Sequence, residues 1–218
     1  MRRKTLGGRR AGEKERAGTV SSRPSRLFDQ WQNAFRDVVA EPDIATPLKT
    51  ASLAEDLKSW TTCLTASVVT SCSHLTWKAS AKGHPSEEIP KPGQEYLNID
   101  VMAFESRPEN ARWALPIAVF ELENARTDTR IAYSLWKVLC VRAQLRVVFA
   151  FRRDWESSRR TVSDVCQDVI GGMSPVDRME INGETVIIVG NRGDGDSFPW
   201  GYFKCWRLDP SRGVFDKC

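Results

Sequence analysis

Apolar positions recur every three or four residues from Ser25 to Glu41: Leu27, Phe28, Trp31, Phe35, Val38 and Val39. That spacing predicts an amphipathic helix. It should close at Glu41-Pro42, because a residue before proline avoids the helical region. Residues 42–50 read as a loop. A second helix is expected from Thr50 or Ser52 towards Cys72, with Leu53, Leu57, Trp60, Leu64 and Val68 on one face. Its last third, TASVVTS, is β-branched and fits a helix less well.

Extended segments follow. HLTWKAS (74–80) predicts a short strand, and residues 81–94, rich in Pro, Gly and charge, a loop. EYLNIDVMAFE (95–105) alternates as a strand does, and 106–113 is a connector. ALPIAVFELEN (114–124) is an almost unbroken apolar run ending in acids, the pattern of a strand buried on both faces. Residues 127–144 predict a helix capped by Thr127 or Asp128, with Ile131, Leu135, Val138, Leu139 and Arg142 as its main stripe. LRVVFAFRR (145–153) is another central strand. A helix over 162–173 should stop at Gly171-Gly172. Strands at 184–190 and 202–209 flank a turn-rich loop, GNRGDGDSFPWG, which lacks the spacing of a phosphate-binding P-loop.

Three consecutive strands suggest an antiparallel meander. The helix before LRVVFAF suggests a crossover to a parallel neighbour. The expected fold class is α/β, a mixed central sheet flanked by helices. A chain of 218 residues, 41% hydrophobic and 28% charged, gives one domain over 27–218 after a tail at 1–26. No run of 18 apolar residues occurs, so no membrane contact is expected.

Charge refines this picture. Residues 1–26 hold nine Lys/Arg and two Glu, whereas the remaining 192 residues hold 23 basic and 26 acidic groups. The tail is poor in large apolar groups and is expected to be disordered. It reads either as a solvated arm or as a basic arm that gathers near phosphates. Six cysteines (63, 72, 140, 166, 205, 218) show no CxxC, and no apolar segment of a signal peptide follows Arg2 and Arg3. They read as free thiols in an intracellular, reducing compartment, with Cys140 and Cys166 in the core. Only two histidines are present, His74 and His84, which argues against zinc. Trp31, Trp60 and Trp136 read as core residues. Trp77, Trp155, Trp200 and Trp206 read either as packing groups or as base-stacking groups beside Arg152, Arg153 and Arg207.

The candidate chemistry lies in the acids at the strand ends. Glu121 and Glu123 share a face if the strand runs through both. Asp100 meets them if strands 95–105 and 114–124 form a hairpin. Three hard oxygen ligands without histidine suit Mg²⁺ or Mn²⁺. The plainer reading is surface acids paired with Arg126 or Arg130.

IDVMAFE, followed by IAVFELENARTDTRIAYSLWKVLCVRAQLRVVFAFRR, resembles the PD-(D/E)xK nuclease superfamily with its restriction-endonuclease-like αβββαβ core. The resemblance spans about 100 of 218 residues. It implies metal-dependent phosphodiester hydrolysis of nucleic acid, in the first place DNA. Asp100 takes the place of the motif's Asp, Glu121 of its second acid and Glu123 of its lysine. Leu122 would offer a backbone carbonyl to the metal held by Asp100 and Glu121. Glu55 matches an acid that some members carry in the first core helix. Two departures stand out: no proline precedes Asp100, and glutamate fills the lysine position. Some members move that lysine to the following helix, where Lys137 is the candidate. Its wheel position, about 240° from Ile131, places it on the polar arc and reads as solvated. Lys78 is a further donor candidate. The other reading is a nuclease-like module without turnover, binding nucleic acid or a protein partner, or assembling as a homo-oligomer.

Overall fold

Phe28, Trp31, Phe35 and Val39 lie along one side of the first helix, α1 (Leu27–Ala40), and all are buried. A computed structural model describes residues 26–106 and 113–218 of the chain. The expected tail, apart from Arg26, and most of the connector at 106–113 lie outside the described residues.

The segment 42–50, expected as a loop, belongs to a helix, α2 (Pro42–Leu53). Pro42 stands in its first turn, where a missing N–H costs nothing. Pro47 does remove a donor, but Leu48 beside it is fully buried, and that burial outweighs one lost bond. The next helix, α3 (Leu57–His74), therefore starts later than expected. Asp56 caps it, its Oδ1 accepting from the Ser59 N–H at 3.1 Å. The β-branched stretch stays helical. Thr65, Ser67 and Ser71 donate their hydroxyls to carbonyls one turn back, at 2.8, 2.8 and 2.6 Å, and so enter the core with their polar atoms satisfied.

Among the described residues, seven strands form one sheet, and their spatial order is their order along the chain. They are β1 (Trp77–Ala81), β2 (Val101–Glu105), β3 (Ala118–Leu122), β4 (Leu145–Arg152), β5 (Glu184–Asn191), β6 (Phe203–Asp209) and β7 (Val214–Lys217). Strands β1, β2 and β3 are antiparallel neighbours, β3, β4 and β5 are parallel, and β6 and β7 return antiparallel. The meander and the crossover expected from the sequence are both present. Helices α1, α2 and α3 cover one face. The other carries α4 (Asp128–Leu139) and α5 (Trp155–Val165). A short helix, α6 (Pro175–Met179), precedes β5. Neither α6 nor β7 is expected from the pattern, being too short to show a period.

Strand β2 is half the expected length. Leu97 and Asn98 sit at φ 56° and 55°, a left-handed turn that breaks the extended run before Asp100. Helix α5 begins earlier than expected, because Asp154 and Ser157 form a reciprocal cap, Asp154 Oδ1 accepting from the Ser157 N–H at 2.8 Å.

Trp31 fills the space between α1 and the sheet, 4.9 Å from Phe120 and 5.1 Å from Phe35. Trp60 packs on Phe151. Trp136 corrects the expectation of a core role: it is 53% exposed and stacks on the exposed Tyr133. Trp77 and Trp206 are buried, and Trp155 stacks on Trp206 at 5.3 Å. Cys140 is exposed rather than core, because α4 ends at Leu139 and the cap turns outward; Cys166 is only partly buried. Reading all six cysteines as free also fails. Cys205 and Cys218 form a disulfide, Cα atoms 5.5 Å apart, because the β6–β7 hairpin sets them side by side.

Arg146 is a buried cation near the start of the largely apolar strand β4. It is 5% exposed, and its guanidinium donates to the carbonyls of Val138 (3.1 Å), Val141 (3.0 Å) and Asn182 (2.7 Å). These include acceptors left over at the end of α4. Arg146→Met should strand them and lower stability by about 1–3 kcal/mol. Urea unfolding checks this, with Arg146→Lys restoring only part of the loss. An unchanged midpoint would sink the role.

Candidate functional site

Alternation along β3 decides where its acid goes. Phe120 and Leu122 enter the core under α1 and α3, while Val119 and Glu121 face α4. Glu121 is therefore a carboxylate in an apolar layer, only 3% exposed. Burial pushes its pKa up, to about 7, and neighbouring Asp100 adds to the rise; Lys137 opposes it.

Helix α4 answers this charge. Lys137 Nζ lies 2.8 Å from Glu121 Oε2 and donates to the Asn98 carbonyl at 2.7 Å. Ser134, one turn earlier, donates to the same Oε2 at 3.3 Å. Lys137 is 21% exposed at its side chain. The solvated reading from the helical wheel is thus corrected. A four-carbon stem lets an ammonium reach back across the helix to a buried partner.

Asp100 stands just before β2. Val101 pairs with Phe120, which sets Asp100 beside Glu121. Asp100 Oδ2 accepts from the Leu122 N–H at 2.7 Å, and the Asp100 N–H points at Glu121 Oε1 over a long 3.4 Å. Asp100, Glu121 and Lys137 thus meet at one end of the sheet.

Glu123 does not join them. The strand ends at Leu122, so the alternation that would put Glu123 beside Glu121 no longer applies. Its Oε1 accepts from the Ala125 N–H at 2.8 Å instead. Lys78, near the start of β1, is committed elsewhere, to Glu88 at 2.9 Å. Glu55 is not in the first core helix but in the α2–α3 turn, at φ 54°. It pairs with Arg126 at 3.2 Å and with Arg192. Asn124 ties the loop after β3 to α3 through Thr61 Oγ1, at 2.6 Å.

Sequence reasoning missed Ser134 and the Glu55–Arg126–Arg192 bridge. Ser134 had a signal, a hydroxyl inside the buried stripe of α4. The bridge had none, since its members come from three distant segments.

The parallel strands β3, β4 and β5 end at the same edge of the sheet, and arginines gather there: Arg126, Arg152, Arg153 and Arg192, with Arg130 in the first turn of α4. Arg152 is held by Asp128 at 2.5 Å and by Thr161. Arg130 and Arg153 form no ion pair among the described residues.

A hard divalent cation commonly uses one or two carboxylates and completes its shell with water. Asp100 and Glu121 fit that requirement in donor type and proximity, and Asp100 Oδ1 makes no hydrogen bond among the described residues. No group of three or more His, Cys, Asp or Glu side chains is arranged to hold a metal among the described residues. The fit is therefore to a two-carboxylate site, not to the three acids expected from spacing.

No helix among the described residues is long and apolar enough to cross a membrane. Compared with protein-family models, with curated proteins and with solved structures, the chain matches none of them.

Proposed function

We propose that this protein is a metal-dependent phosphodiesterase acting on nucleic acid, with α3, β1, β2, β3, α4 and β4 as a restriction-endonuclease-like core. One observation carries the reading: Lys137 reaches from α4 to within 2.8 Å of Glu121, beside Asp100. That supplies a lysine where the strand motif has Glu123. It also explains how a strand-end glutamate can occupy the motif's lysine position.

Asp100 and Glu121 would hold Mg²⁺ or Mn²⁺, which when bound contributes a polarised phosphoryl oxygen and an acidified water. The Leu122 N–H fixes the Asp100 carboxylate. Ser134 and Lys137 fix that of Glu121. The Lys137 ammonium offers positive charge where negative charge develops in the transition state. Arg130 and Arg153 attract the phosphate backbone.

A plasmid incision assay tests this. With Mg²⁺ or Mn²⁺ the wild type should nick DNA and a chelator should stop it. An Asp100→Ala, Glu121→Ala double substitution should lower the rate at least about a hundredfold, as expected when charge stabilisation is lost. Equal rates would reject these roles.

One observation favours the reading without turnover. Glu121 is almost fully covered by its partners, its side chain 4% exposed. In that case Mn²⁺ titration by calorimetry should show no uptake that depends on Asp100 and Glu121.

A further inference from the structure

The outward face of α4 exposes aromatic rings next to a cation. Its exposed positions are Thr129, Arg130, Tyr133 and Trp136. Cys140 and Arg142, also exposed, follow in the chain just beyond the end of the helix. None of these is acidic and none is aliphatic. The one acid of α4, Asp128, is bound to Arg152 and Thr161.

Two large aromatic rings stand in the middle of this strip. Tyr133 is 58% exposed and Trp136 is 53% exposed. Their rings stack on each other, centroids 5.9 Å apart and planes 28° from parallel. Exposing two such rings forfeits hydrophobic stabilisation that burial would give. A helix that docks in a protein groove presents a continuous apolar stripe, whereas this strip sets two rings among Thr129 and Arg130. Flat rings between cations instead match a base with its phosphates: every base has a π-face, and stacking tolerates any sequence.

The strip adjoins the site. Lys137 Nζ lies 6.0 Å from the centre of the Tyr133 ring and 2.8 Å from Glu121.

We propose that the outer face of α4 is a stacking platform for single-stranded nucleic acid, in which Tyr133 and Trp136 hold unpaired bases while Arg130 and Arg142 hold the flanking phosphates. This rests on the phosphodiesterase reading for its biological sense and deepens it by naming the substrate as unpaired rather than duplex. A duplex hides its base faces between neighbouring pairs and offers nothing for the two rings to stack on.

The test is binding of the full chain without cleavage. Fluorescein-labelled oligothymidylate and a duplex of equal length are titrated with protein in a chelator and followed by anisotropy. The wild type should bind the single strand more tightly than the duplex. A Tyr133→Ala, Trp136→Ala double substitution should weaken single-strand binding about tenfold or more, the scale of one or two lost stacks. Trp136→Phe should keep most of the affinity, and Trp200→Ala, on another surface, should change nothing. Both rings are exposed, so the variants should fold, which circular dichroism verifies.

Equal single-strand affinity in the double variant, a preference for the duplex, or no binding of the oligonucleotide would each overturn the platform. Its failure is separable from that of the catalytic reading. Stacking-dependent binding without incision in Mg²⁺ rejects hydrolysis and leaves the platform standing. Incision with binding indifferent to Tyr133 and Trp136 does the reverse.

Discussion

Lys137→Met should leave the protein nearly as stable as wild type at pH 5 and weaker by about 3 kcal/mol at pH 8.5 in metal-free buffer. The cause is Glu121. Its pKa in the folded protein, about 7, lies above the usual carboxylate value of 4.5. The folded state therefore holds this proton more tightly than the unfolded chain does. The stabilisation is fully present below about pH 4.5 and is lost as pH rises through 7, a linkage on the order of 3 kcal/mol. In the wild type the nearby Lys137 ammonium limits that loss. Without it, the folded pKa climbs further and the loss continues to higher pH. Urea unfolding at the two pH values measures the gap. Adding Glu121→Gln to Lys137→Met should abolish the pH dependence of that gap. A gap equal at both pH values would show that Lys137 contributes only packing.

Trp31→Ala should cost about 3–5 kcal/mol, the usual range for emptying a large aromatic site. Trp31 is fully buried, and four rings surround it: Phe120 at 4.9 Å, Phe35 at 5.1 Å, Phe149 at 6.1 Å and Phe28 at 6.2 Å. They belong to α1, β3 and β4, so the cavity opens where helix and sheet meet. At this chain length each kcal/mol moves the melting temperature by about 2–4 °C, giving a fall of roughly 10 °C. Trp31→Phe should fall between the two. Trp200→Ala, at a position 62% exposed, should stay within about 0.5 kcal/mol of wild type. A loss for Trp31→Ala no larger than for Trp200→Ala would contradict the packing described.

What the sequence disclosed follows its strongest periods. The α1 stripe, the α4 stripe and the apolar runs of β3 and β4 were readable because burial on a regular element repeats itself. Helix α2 was not, since two prolines and few large residues hide a helix whose stability comes from Leu48 and its neighbours. The end of β3 was not readable either. IAVFELEN carries an unbroken alternation, yet pairing stops at Leu122, and that single residue separates Glu121 from Glu123. Lys137 was legible as a residue but not as a partner. A helical wheel records the direction of the Cα–Cβ bond and ignores the reach of a long stem. The Cys205–Cys218 pair depends on the β6–β7 hairpin, and β7 is too short to announce itself.

The order of strands in the sheet has a consequence for how the chain acquires its shape. Each strand lies against the one made just before it, so a ribosome can release the sheet as a growing ribbon. No strand has to wait for a distant later segment to be inserted beside it. Short-range pairing of this kind favours rapid folding and shortens the time that bare strand edges spend open to wrong partners.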